Sequence, residues 1–102
     1  MKLYHVTEYE NLETIEENGL EPNYSARVTN ADRPNLQDYK GVYGFTNLQN
    51  AIELGLTDYG SGDAVIVEFE ASNHIDDPEY DGESKFVETD EPISAKLVWS
   101  QF

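Results

Sequence analysis

Apolar residues come in short bursts separated by acidic stretches, and the spacing within each burst decides what it builds. Leu3, Tyr4, His5 and Val6 suit a strand, with Leu3 and His5 on one face and Tyr4 and Val6 on the other, by the two-residue period of a pleated chain. Thr7 followed by Glu10 reads as a capping box, so the strand is expected to end at Val6 and a helix to start at Thr7. Tyr9, Leu12 and Ile15 recur at helical spacing. Gly19 is placed to close the helix in the left-handed conformation, Leu20 folds back toward Ile15, and Pro22 forbids continuation.

The same grammar returns further on. Gly41 to Phe45 restores a strand pattern; Thr46 with Gln49 reads as a second capping box, and Leu48, Ala51, Ile52 and Leu54 supply a helix face up to Gly55. Ala64 to Ala71, AVIVEFEA, is the strongest strand, its continuous apolar start implying burial on both faces. Ser72 to Gly82 reads as an acidic loop, Lys85 to Val87 as a short strand, and Ala95 to Phe102 as a last strand whose Trp99 packs in the core. Residues 23–40 are polar and irregular, long enough for a binding loop or lid. The order strand, helix, strand, helix, strand, strand, strand predicts a compact α+β domain.

Composition narrows the classes. At 102 residues, the chain is one domain spanning residues 1–102, with material for a single modest core. No apolar run is long enough to cross a bilayer, and no charged-then-apolar leader opens the chain, so no membrane partner and a cytoplasmic location are expected. With no cysteine, disulfides and thiolate metal sites are excluded. The 21 Asp and Glu against 6 Lys and Arg give a net charge of -15, which repels phosphate backbones and argues against nonspecific nucleic-acid binding. High intracellular salt, mimicry of a nucleic acid and recognition of a basic partner all account for such acidity; its scatter over the whole chain favours a generally solvated, halophilic-like surface. His74 with Asp76 and Asp77 lacks a second histidine at ligand spacing, so no metal is expected.

Two motifs carry a resemblance. YHVT-x4-L-x2-I-x3-GL-x-P near the N-terminus, followed by GVYGFTN-x3-A, resembles the ADP-ribosyltransferase fold, in particular the diphtheria-toxin and poly(ADP-ribose) polymerase branch and the DNA-targeting toxins related to it. The resemblance implies a single ADP-ribosyltransferase-like mixed sheet with two short helices, NAD as the bound substrate, and a macromolecular acceptor, with a protein the first expectation. It implies that His5 fixes NAD, with Val6 supplying backbone groups and Thr7 a hydroxyl on the ligand side. Tyr43 would line the nicotinamide pocket, where an electron-rich ring face attracts a cationic pyridinium. Glu83, at the start of a strand in GESKFV, matches the family's catalytic carboxylate, with Glu88 as the runner-up. Arg27 and Arg33 would meet the pyrophosphate from the long loop. The chain departs from the pattern at Val6, where much of the branch has glycine, and at Ala51 and Leu54, where polymerase relatives have a serine and a stacking tyrosine; Tyr59 is a substitute for the latter.

The leading expectation is thus a small NAD-dependent mono-ADP-ribosyltransferase. An inactive member of the fold that binds a basic protein partner through its acidic surface is the alternative. An RNA 2′-phosphotransferase-like enzyme is a further one, disfavoured because Arg27 and Arg33 are the only arginines available to grip a 2′-phosphate.

Overall fold

The architecture follows from where β4 buries its two faces. In the computed structural model, which describes residues 1–24, 40–59, 62–76 and 82–101, β4 (Ala64–Glu70) lies between β1 (Lys2–Glu8) and β7 (Ala95–Ser100). Val65, Ile66 and Val67 have no exposed surface at all, so AVIV is buried on both faces as its continuous apolar pattern predicts. Alternation sends Val65, Val67 and Phe69 to one face, where Leu3 joins them under α1 (Leu12–Asn18) through Leu12 and Ile15. Ile66 goes to the other face. There it meets Tyr4, Val6 and Phe45 (β3) beneath a helical run formed by α2 (Leu48–Asn50), a π-helical turn over Ala51–Gly55 and α3 (Leu56–Tyr59). A bulge between Ile66 and Val67 shifts the register of β7, so consecutive residues Val98 and Trp99 both pack on this second face. Trp99 is half-buried and packs against this core instead of lying inside it.

The strand order is β5 (Ile75–Asp76), β6 (Ser84–Glu88), β3 (Lys40–Phe45), β1, β4, β7, with β2 (Asn23–Tyr24) also on β3. The domain is α+β, but its sheet is not mixed: every described pairing is antiparallel. The reason lies in the crossover. β3 and β4 run parallel and are joined by the helical run, as strand-helix-strand grammar predicts, yet β1 slots between them and pairs antiparallel with both.

Several boundaries move for tertiary reasons. Thr7 does not cap a helix, because pairing with β4 continues to Glu8 opposite Ala64, and Tyr9 N–H still donates to the Asp63 carbonyl at 2.9 Å. A 3₁₀ turn (Tyr9–Asn11) then leads into α1, and the Thr7 hydroxyl accepts from the Asn11 side chain at 3.0 Å. Thr46 is likewise not the cap of the second helix; Asn47 is, its side-chain oxygen accepting the Asn50 N–H at 2.8 Å. Nor does Gly55 end that helix. It is buried within the π turn because the backbone lies against Val6, and a Cβ there would stand 2.5 Å from Val6 Cγ2. Gly19 has φ +87, but with ψ 176 it is extended and not left-handed helical, turning the chain so that Leu20 bridges Ile93. The acidic segment after β4 contains the short strand β5. The expected loop or lid over residues 23–40 begins and ends in β2 and β3; its interior lies outside the described residues.

Gly44 sets the approach of β3 to the core, since a Cβ there would meet Leu3 Cβ at 2.7 Å and the Phe69 ring at 2.9 Å. Gly44→Ala is expected to destabilise the fold by about 1–3 kcal/mol through overpacking, read as a lower urea midpoint with an unchanged m-value.

Candidate functional site

His5, the first of the residues expected at a site, lies where the sheet parts. β6 occupies one edge of β3 along its length, from Gly41 opposite Glu88 to Phe45 opposite Ser84. The other edge is shared: β2 pairs at Lys40 and Gly41, β1 pairs at Phe45 opposite Tyr4 alone, and between them the two longer strands separate. His5 fills this gap. Its Nδ1 is 2.8 Å from the Tyr43 carbonyl, and a carbonyl can only accept, so the ring carries its proton on Nδ1 and keeps Nε2 as an acceptor. Burial of the ring pushes its pKa below the usual histidine value, outweighing the opposing effect of the Tyr43 bond, so His5 is neutral at pH 7.

The other expected residues take distinct places around this junction. Gly44 faces Leu3, so its neighbour Tyr43 leaves β3 on the opposite face from Leu3 and His5. The Tyr43 ring packs on Phe86 with centroids 5.0 Å apart and planes tilted by 52°, next to Ile75. The structure therefore brings His5 to the backbone of Tyr43 and not to its ring. Val6 is half-buried against the helical run and faces Gly55. Thr7 lies two residues beyond His5 in β1, on the same pleat face.

The two glutamates flank opposite ends of β6. Glu83 is exposed and immediately precedes Ser84; its carbonyl accepts the Thr46 N–H at 2.9 Å, and its carboxylate accepts from the Asn50 side-chain amide. That places it beside the end of β3 where β1 is paired. Glu88 lies opposite Gly41, at the end where β1 has parted from β3. Strand rise separates the two by about 16 Å along β6. Arg27 and Arg33 lie outside the described residues, and the side chain of Tyr59 is likewise not described. In the HIDD stretch, Asp76 is paired with Lys85, whose hydrogen bond and charge hold its carboxyl below the usual range, while Asp77 lies outside the described residues.

Sequence reasoning missed Asn50 and Ser84. The Asn50–Glu83 contact joins residues far apart in the chain, and no local pattern marks it. Ser84 is 1% exposed and its hydroxyl lacks a hydrogen-bond partner among the described residues. Asn47 was legible: an Asn directly before an apolar helix face is a cap signal in its own right. Among the described residues, no helix is long and apolar enough to cross a membrane.

Two outcomes test this geometry. With the folded-state pKa of His5 depressed, the unfolded chain binds the extra proton, so His5 contributes a stability loss as pH falls below about 6.5, with a slope of at most about 1.4 kcal/mol per pH unit. Between pH 7.5 and 5.5 the wild-type protein should lose more stability than His5→Gln, measured by urea unfolding. Ser84→Ala should raise stability by about 1 kcal/mol, because it removes a buried hydroxyl that gains no partner on folding. Comparison with known proteins gives no match, whether to protein-family models, to curated proteins or to solved structures.

Proposed function

We propose that the chain is an NAD-dependent mono-ADP-ribosyltransferase whose cofactor-side site is the parting between β1 and β3. The observation that carries the reading is the His5 ring, held by the Tyr43 carbonyl with Nε2 kept as an acceptor for a ribose hydroxyl. The three motif segments that resemble the family occupy adjacent strands, β1, β3 and β6, which supports the same reading. In the reaction the bond between ribose and nicotinamide breaks, nicotinamide leaves with the bonding pair, and an acceptor nucleophile takes the ADP-ribose. The Glu83 carboxylate stabilises the oxocarbenium-like centre that develops and receives the acceptor's proton. Asn50 aims that carboxylate. Glu88 is the alternative carboxylate, reached from the opposite end of β6. Arg27 and Arg33 are assigned to the pyrophosphate and Thr7 to a ligand-side hydrogen bond. The acceptor is a protein, since a net charge of -15 disfavours a polyanion.

A second reading, an inactive member of the fold that binds a basic protein, is favoured by the packing of the Tyr43 ring on Phe86 and by that same charge.

Incubating the protein with labelled NAD and a cell lysate, at low and at high salt, separates the two. The enzyme reading expects transfer of label and release of nicotinamide, both lowered about a hundredfold or more by Glu83→Gln and much less by Glu88→Gln. Absence of transfer and of nicotinamide release at both salt concentrations contradicts it.

A further inference from the structure

Asn18 and Gly19, where α1 ends, form the only asparagine–glycine step in the chain. Packing dictates the glycine. Its φ is +87, and a Cβ there would stand 2.8 Å from the Ile93 carbonyl oxygen, beside the pair of backbone hydrogen bonds, 2.7 and 3.0 Å, that Leu20 and Ile93 exchange. Asn18, the last residue of α1, is exposed. An exposed asparagine followed by an obligatory glycine is chemically labile, because no side chain on the second residue shields its backbone nitrogen.

The reaction open to this pair is an intramolecular substitution. The Gly19 nitrogen attacks Asn18 Cγ; the new C–N bond closes a cyclic imide as the bond from Cγ to Nδ2 breaks, and ammonia leaves with the proton of the glycine nitrogen. Water then opens the imide. Addition at Cγ yields an aspartyl residue, and addition at the main-chain carbonyl carbon yields an isoaspartyl link, in which the backbone runs through the former side chain.

In the folded chain the attacking nitrogen is withheld. The Gly19 N–H donates to the Ile15 carbonyl at 2.8 Å and closes the last turn of α1, Gly19 itself is buried, and the next residue, Leu20, is tied to Ile93. That hydrogen bond has to open before the nitrogen can lose its proton and reach Cγ.

We infer that Asn18–Gly19 is a modification site, gated by the last turn of α1, at which the chain converts its own asparagine to aspartyl and isoaspartyl forms when that turn opens. Water is the only co-reactant. Both products work against reclosure. The new carboxylate joins Glu16 and Glu17 at a helix end that carries no basic residue and where the macrodipole disfavours negative charge. The isoaspartyl link also lengthens the backbone between Ile15 and Leu20, which pack in one core with Leu3, Val65 and Val67. An opening that reacts therefore leaves a permanent mark on α1.

The test incubates the folded full chain at pH 7 and follows Asn18 by mass spectrometry and isoaspartate detection, beside a peptide of residues 16–22 and the full chain in denaturing urea. The folded chain is expected to react at least about tenfold more slowly than the peptide, by a factor that follows the hydrogen-exchange protection of the Gly19 amide, and urea should restore the rate of the peptide. Conversion of the folded chain at the rate of the peptide would overturn the gating, and absence of conversion in both the peptide and urea would overturn the site. No NAD is present, so either failure is distinct from failure of the transferase reading.

Discussion

The hydrogen bond from the His5 ring to the Tyr43 carbonyl is the constraint around which the sheet is arranged. β1 and β2 share one edge of β3, and a continuous ladder cannot serve both. The imidazole takes the place between them where strand pairing is interrupted. The ring thus gives the Tyr43 carbonyl a hydrogen bond within the sheet and keeps Nε2 as an acceptor. Its neutrality follows from the same placement, because a second proton would charge a group taken out of water.

The periodicity of each segment was a good guide to which side chains are buried and a poor guide to where segments stop. AVIV is buried on both faces, Leu12 and Ile15 form the inner stripe of α1, and Trp99 packs half-buried against the core. Boundaries failed where a distant strand claimed the backbone. Thr7 has a capping-box sequence, yet pairing of Glu8 with Ala64 satisfies the chain in another way, and Gly55 resembles a helix stop but is small because Val6 lies against it. The antiparallel sheet was hidden for a related reason: local grammar makes β3 and β4 parallel, but cannot reveal that β1 inserts between them. At the site, the His5 ring meets only the backbone carbonyl of Tyr43, whose own ring lies on the opposite face against Phe86, an arrangement that the two-residue period of each strand could not reveal. The Asn50–Glu83 contact arises only when segments far apart in sequence meet.

The two faces of the site region divide the chemistry between them. Leu3, His5 and Thr7 belong to the α1 side of β1, while Tyr43 and Phe86 belong to the other side of the sheet. In the proposed enzyme, a ligand entering at the parting of β1 and β3 meets His5 first. The net charge of -15 disfavours polyanionic ligands over the whole surface.

The state of the His5 imidazole, read by long-range proton–nitrogen NMR at pH 7 with and without NAD, tests the account most directly. A neutral ring protonated on Nδ1, whose Nε2 resonance shifts on addition of NAD while Nδ1 keeps its proton, is the predicted result. A ring that is charged, or protonated on Nε2, or indifferent to NAD would contradict the claim that this side chain both bridges the sheet and offers a ligand its free nitrogen.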